Sequence, residues 1–344
     1  MAERPKKILI IKPSAMGDIV LALPVLSALH KSFPQARISW LVRTEFAPLL
    51  EGHPYLSEVI LFDRKFLGKA WKNPKAFGSL VSLIARLRKA EFDLVLDLQG
   101  LFRTAFLGWA SGCKKRFGPD FKREFSHFFY SESIKPPGSI HLVDCLLNIA
   151  KAAGASADSA EFVFPTNTKA DDALRRLLAE SSAQEGEYAV LVPGAADRDK
   201  RWPVERFAAM ADRISEKSGL SIIAVGTTGE KDLIRQIREK AHVQVKDLAG
   251  RTDISVLISL LRRARLVISN DTGPGHIAVG LGVPLVMIFG RTNPSRVAPY
   301  GRPECIAAIE PYGRSASIDS FEEKYDIRHV TVDQVFEKAC RQLR

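Results

Sequence analysis

The residues Val267-Ile268-Ser269-Asn270-Asp271-Thr272-Gly273-Pro274-Gly275-His276-Ile277-Ala278 read as strand, tight loop and helix in immediate succession. A short apolar run ends in Asn-Asp, a glycine-rich turn follows, and Ile277 to Leu281 begins a helix of small residues. The start of such a helix presents unbonded N–H groups and the positive end of the dipole, which together seat a phosphate. Gly273 and Gly275 would let backbone approach a ligand, with Asp271 and His276 at the loop mouth. The plainer reading is a βα turn in which Asp271 satisfies local N–H groups. The stretch alone leaves both open.

The remaining composition narrows the class. A chain of 344 residues is long enough for two domains with separate cores. A formal net charge of +11 suggests acidic partners: phosphates, an anionic membrane surface or nucleic acid. Cys113, Cys145, Cys305 and Cys340 lack CxxC spacing, which argues against a zinc site or disulfide framework and fits a reducing compartment. No signal-peptide pattern and no apolar run of about 18 residues is present, so a cytoplasmic protein able to rest on a membrane is expected.

The same strand–loop–helix rhythm begins at the N-terminus. Lys7 to Lys12 has the form of a strand buried on both faces, and Ile19 to Lys31 continues at helical spacing, with Pro24 placed near the first turn. Asp18 between them is either a helix cap, worth about 1 kcal/mol, or a carboxylate at the strand's carboxyl end, where open α/β sheets bind ligands. Strands are expected at Ala36 to Val42, Val59 to Phe62 and Asp93 to Gln99, and helices at Phe77 to Lys89 and His141 to Ala153. Five cations (Arg64, Lys65, Lys69, Lys72 and Lys75) lie in twelve residues, interleaved with Phe66, Leu67 and Trp71. They form either a solvated face or a surface for an anionic, partly apolar molecule. A second basic cluster, Lys114 to Arg116 with Lys122 and Arg123, adjoins Phe121, Phe125, Phe128, Phe129 and Tyr130.

Small and polar residues from Gly154 to Asp171 mark the domain boundary, after which the rhythm restarts. The strand Tyr188 to Val192 leads into Pro193-Gly194 and then Lys200, placed either as a phosphate ligand or as a surface lysine. The strand Leu220 to Val225 ends before Glu230, which either holds a ribose hydroxyl or favours a helix N-terminus. Asp253 caps the next helix, and Val332 to Leu343 is amphipathic.

Two βα arrays in series imply two doubly wound, Rossmann-like α/β domains facing across a cleft. The expected boundaries are 1–165 for an acceptor-binding domain and 166–320 for a nucleotide-sugar-binding domain. Residues 321–344 are expected to form a terminal helix that packs back on the first domain. The lack of a full GxGxxG with its distant acid, of GxxxxGK[ST] and of GxSxG disfavours nicotinamide enzymes, P-loop kinases and α/β hydrolases.

Three stretches in this order carry a family resemblance: Lys12-Pro13-Ser14-Ala15-Met16-Gly17-Asp18, Pro193-Gly194 through Lys200-Arg201-Trp202-Pro203, and Asn270-Asp271-Thr272-Gly273-Pro274-Gly275-His276. Together they resemble family 9 glycosyltransferases, the lipopolysaccharide heptosyltransferases, over nearly the whole chain. The Arg64–Lys75 segment and Lys122-Arg123-Glu124-Phe125 look like heptosyltransferase I in particular. Ala195-Ala196 and Pro274-Gly275 depart from the family's usual residues. The resemblance implies a GT-B fold and transfer of L-glycero-D-manno-heptose from ADP-heptose to the Kdo region of lipid A, at the inner face of the inner membrane. It implies Asp18 as general base. Lys200, Thr272, Gly273 and His276 would hold the diphosphate, with Asp271 by the sugar or its phosphates. Arg64, Lys65, Lys69, Lys72 and Arg123 would meet the acceptor's carboxylates and phosphates.

Such chemistry needs a base, charge stabilisation on the leaving diphosphate and exclusion of water. Asp18 can supply the first; Lys200, amides and a helix dipole can supply the second. The expectation is therefore an inverting reaction with no metal and no cofactor. Rival readings are a GT-B transferase or epimerase for another nucleotide sugar and a non-catalytic anionic-lipid binder. Nucleic acid is disfavoured because the cations cluster in insertions of one domain.

Overall fold

The computed structural model describes residues 4–69, 71–120, 124–314 and 317–343. The chain forms two compact units, Met1–Thr166 and Asn167–Arg344. The first begins with β1 (Lys7–Ile11), α1 (Met16–Ser32), β2 (Arg37–Arg43), β3 (Glu58–Phe62), α2 (Arg64–Leu67) and α3 (Pro74–Ala90). It continues with β4 (Leu94–Asp97), α4 (Phe102–Ala110), β5 (Arg116–Pro119), β6 (Glu132–Ile134) and α5 (Leu142–Ala152). The second begins with α6 (Thr168–Glu180), β7 (Tyr188–Val192), α7 (Val204–Ser218), β8 (Ser221–Ala224), α8 (Lys231–Lys240) and β9 (Val245–Asp247). It ends with α9 (Ile254–Arg262), β10 (Leu266–Asn270), α10 (Gly273–Gly280), β11 (Leu285–Ile288), α11 (Pro294–Val297), β12 (Ile306–Ala307) and α12 (Val332–Gln342).

Each unit is built on a six-stranded sheet, ordered β3-β2-β1-β4-β5-β6 in the first and β12-β11-β10-β7-β8-β9 in the second. The ladders are parallel. Strand order reverses between β1 and β4 in one sheet and between β7 and β10 in the other. Loops leaving the carboxyl ends of those strands diverge to opposite faces and open a crevice, the usual ligand position of doubly wound sheets. The continuous apolar runs explain the arrangement. Ile8 to Ile11 and all of β7 are buried, as strands covered by helices on both faces must be. Helix α1 is buried from Ile19 through Leu29 because α5 covers the side turned from the sheet.

Several details depart from the sequence reading. Helix α1 starts at Met16, with Ala15 as its N-cap, so Asp18 lies inside the first turn and makes no cap bond. Pro24 therefore falls in the helix interior, where it removes the bond to the carbonyl of Val20. Strands β5, β6, β9 and β12 were not anticipated; each has two to four residues. Helix α12 packs on α7 and β11 within the second unit, with Val335 and Ala339 in that unit's core. Among the described residues no helix is long and apolar enough to cross a membrane.

Candidate active site

In the second unit the loops after β7 and β10 meet at the reversal of strand order. Asn270, wholly buried at the end of β10, ties them together. Its Nδ2 donates to the Pro193 carbonyl at 2.8 Å, and its Oδ1 accepts from the Trp202 amide at 3.2 Å. The Trp202 indole donates to the carbonyl of Val330 at 2.8 Å, and Arg201 donates twice to the Ala195 carbonyl, at 2.9 and 2.7 Å. These bonds fix the 193–202 loop at several points. Lys200, on its short 3-10 turn Arg198–Lys200, places Nζ 3.3 Å from Asp271 Oδ2.

Asp271 Oδ1 lies 3.3 Å from His276 Nε2. Burial pushes the Asp271 carboxyl upward, but His276 and Lys200 outweigh it and bring the value down to about 2. An ionised carboxylate only accepts, so the histidine carries its proton on Nε2. Thr272 is the N-cap of α10 but contributes no side-chain cap bond; its hydroxyl stands 3.2 Å from Ser269 Oγ. The Gly273 amide in the first turn thus has no side-chain cap competing for it, and Pro274 beside it carries no N–H. Gly275 has a different job from the one expected. A Cβ there would come 2.7 Å from Ser269 Oγ and 3.2 Å from the Asn270 carbonyl, so its bareness lets α10 press onto β10.

Glu230 opens a helix N-terminus. Its Oε2 accepts from the Thr227 amide at 2.7 Å and the Thr227 hydroxyl at 3.0 Å, closing a capping box. Its other oxygen lies over the 193–194 loop: a Cβ on Gly194 would fall 2.0 Å from Oε1. Glycine at 194 therefore makes room for this carboxylate between the β7 and β8 loops.

In the first unit Asp18 also sits at a reversal point. Lys12, 3% exposed at the end of β1, places Nζ 3.4 Å from Asp18 Oδ2. The carboxylate is held from its buried side by an ammonium and keeps 38% of its side chain exposed. Across the reversal, Asp97 closes β4. It accepts from Tyr130 Oη at 2.7 Å and from the amides of Gln99 and Gly100 at 2.9 and 3.3 Å. Burial raises the Asp97 carboxyl, against these three donors, and raises the Tyr130 phenol. The tyrosine ring lies so close to Gly118 that a Cβ there would be 2.2 Å from it.

The expected acceptor cations fall on the segment leaving β3 at the same carboxyl edge. Asp63 caps α2 through the Phe66 amide, and Asn73 caps α3. Arg64, Lys65, Lys69 and Lys72 are exposed, with Lys72 Nζ 4.1 Å from the centre of the Trp71 ring. Arg123 lies outside the described residues.

A sequence model of glycosyltransferase family 9 (heptosyltransferase) matches residues 80–325. The chain belongs to glycosyltransferase family 9. It is 28% identical over 312 residues to the lipopolysaccharide core heptosyltransferase OpsX of Haemophilus influenzae, covering 89% of this chain and 85% of that one. Among solved structures, the family 9 glycosyl transferase from Veillonella parvula superposes with a TM-score of 0.80 at 20% identity, over 98% of this chain and 97% of that one. The E. coli heptosyltransferase WaaC with ADP-2-deoxy-2-fluoro heptose gives a TM-score of 0.73 at 22% identity, over 96% and 98%. The two doubly wound units are thus the GT-B fold, and the protein is a glycosyltransferase.

For a family 9 enzyme, the structure adds residues to which the sequence reading gave no role. Lys12, Asp97 and Asn270 each end an apolar strand with a polar side chain that is at most 3% exposed. That pattern, a buried run closed by a charge or amide, was visible in the sequence and marks both reversal points. Arg291 is the other addition: it pairs with Asp199, while Asp197 caps the Lys200 turn. The Asp197-Arg198-Asp199 stretch therefore serves to shape the lysine loop.

Proposed function

We propose that the protein transfers L-glycero-D-manno-heptose from ADP-heptose to the Kdo region of lipid A, during assembly of the lipopolysaccharide inner core. The observation that carries this reading is the convergence of Lys200, the bared first turn of α10 and the Asp271–His276 pair where the second sheet reverses its strand order. An ammonium and unpaired amides at one point suit a diphosphate. The relative solved with an ADP-heptose analogue supports heptose as the sugar and ADP as its carrier.

In this mechanism Asp18 accepts the proton of the acceptor hydroxyl. The hydroxyl oxygen bonds to the anomeric carbon as the bond from that carbon to the diphosphate breaks, and ADP departs. Attack from the face opposite ADP inverts the anomeric centre. Lys12 orients the carboxylate; Lys200 and the amides of Thr272 and Gly273 take up the charge gained by the leaving group. Asp271 holds Lys200 and His276 in place, and Glu230 offers its Oε1 to a ribose hydroxyl. Because Lys200 and a helix N-terminus supply the neutralising charge, the reaction proceeds without a metal. Arg64, Lys65, Lys69, Lys72 and Arg123 bind the acceptor's carboxylates and phosphates. The acceptor is lipid-borne, so the enzyme works peripherally at the inner face of the inner membrane. Mass spectrometry of Kdo₂-lipid A after incubation with ADP-heptose in EDTA tests this. A gain of one heptose is expected; an unchanged acceptor mass would overturn it.

A further inference from the structure

Helix α4 turns the wrong kind of face to solvent. Its inner side, Thr104, Ala105, Leu107, Gly108 and Ala110, is buried against the sheet. Gly108 comes so near that a Cβ would lie 3.3 Å from Val95 Cγ1. Its outer side carries Phe102, Phe106 and Trp109, at helical spacing. The 3-10 turn Ser126–Phe129 extends this surface. The Phe129 ring meets Phe102, Phe106 and Trp109 edge-on at 5.2, 6.0 and 6.1 Å. Phe125 and Phe128 stack on each other beside it at 6.3 Å. The four outermost rings, Phe102, Trp109, Phe125 and Phe128, are 45%, 49%, 70% and 74% exposed.

The patch is fixed in place. Arg116 Nε donates to the Phe129 carbonyl at 2.6 Å, and Glu124 accepts from the Phe102 amide at 3.2 Å. Phe125 is held at φ 56°, a conformation that a bulky side chain seldom takes. Exposed cations stand at both ends of α4: Arg103 in its first turn, and Lys114 and Lys115 beyond its last. Six rings in one patch exceed the scattered apolar residues of an ordinary surface. Aromatic rings prefer the headgroup level of a bilayer, and flanking lysine and arginine draw them to anionic lipid. Helix α4 also starts at the carboxyl edge of the first sheet, the edge that carries Asp18.

We propose that this aromatic face of α4 and the adjoining 3-10 turn docks the protein on an anionic lipid surface. The proposal deepens the reading of a lipid-borne acceptor and rests on it for its purpose. Its test does not depend on turnover. Full-length protein is sedimented with phosphatidylcholine vesicles, with and without phosphatidylglycerol, in the absence of donor and acceptor. Binding is expected only to the anionic vesicles and should weaken as salt rises. The F125S/F128S double variant, altered at the two most exposed rings, should lose about tenfold or more in partitioning. Its circular dichroism, Tm and ADP binding should match wild type. A K114S/K115S variant should weaken binding to anionic vesicles as well.

Equal binding of wild type and F125S/F128S would overturn the proposal, as would wild-type indifference to phosphatidylglycerol. A dimer that F125S/F128S splits, with vesicle binding intact, would assign the face to a second copy of the chain and overturn it too. Vesicle binding without heptose transfer to detergent-dispersed acceptor would leave this inference standing and sink the transferase reading. The reverse result would do the opposite.

Discussion

Replacing Lys200 by alanine removes a side-chain ammonium that the structure places beside Asp271 at the first turn of α10. A unit-charge pair at the observed 3.3 Å separation would be worth about 5 kcal/mol at an effective dielectric of about 20. Lys200 is 30% exposed, so water screens much of that. A charge-assisted contact to a donor phosphate is better set at about 1.5–3 kcal/mol, or about 10- to 150-fold in affinity. The diphosphate gains charge as it leaves, so part of the loss should fall on kcat and the rest on donor KM. Acceptor KM should stay put. The assay is initial-rate ADP release with donor and acceptor varied separately, alongside calorimetric ADP binding. Lys200→Ala should lower kcat/KM for the donor by about 10- to 150-fold, with a matching loss in ADP affinity. An unchanged donor KM and kcat would refute the phosphate role and leave Lys200 as a surface lysine paired with Asp271.

Two further outcomes follow from the buried charges. Lys12→Met should lower kcat by about 10-fold or more by releasing Asp18, while Tm changes little, because the carboxylate left without its partner is 38% exposed and stays hydrated; a large fall in Tm alongside kcat would make Lys12 purely structural. The Asp271 carboxyl is depressed to about 2, below the unfolded value of about 3.9, so its contribution to stability is present above about pH 4 and is lost as the pH falls through about 2. Chemical unfolding of wild type and Asp271→Asn should therefore give a stability gap that is constant near neutrality and narrows only below about pH 4; a gap that closes well above about pH 4 would contradict the depressed carboxyl.

The legible parts of the fold were those where burial is two-sided. β1, β4, β7, β8, β10 and β11 are continuous apolar runs, and their loops carried the glycines and polar residues that point to phosphate chemistry. β5, β6, β9 and β12 lie toward the sheet edges and have two to four residues, the first three mixing charge with apolar side chains, so no periodicity could show them. The start of α1 was misplaced because Ala15 caps it without a side-chain bond, leaving Asp18 as the nearest residue that looks like a cap. That error hid the Lys12–Asp18 pair, which depends on Asp18 lying within the first turn of the helix. Gly275 was read as a ligand approach because its contact with Ser269 and Asn270 comes from helix–sheet packing, which no local pattern encodes. The same holds for the Asp97–Tyr130 bond, whose partners are 33 residues apart.

The central claim is that Asp18 is the base in an acceptor-dependent transfer. ADP release from ADP-heptose should be measured for wild type and Asp18→Ala, with and without Kdo₂-lipid A, in EDTA. The account predicts release only when acceptor is present, a loss of about 10²–10⁴ in kcat for Asp18→Ala, and donor affinity that stays the same. Release that ignores the acceptor, or an Asp18→Ala variant that loses donor affinity as far as turnover, would contradict it.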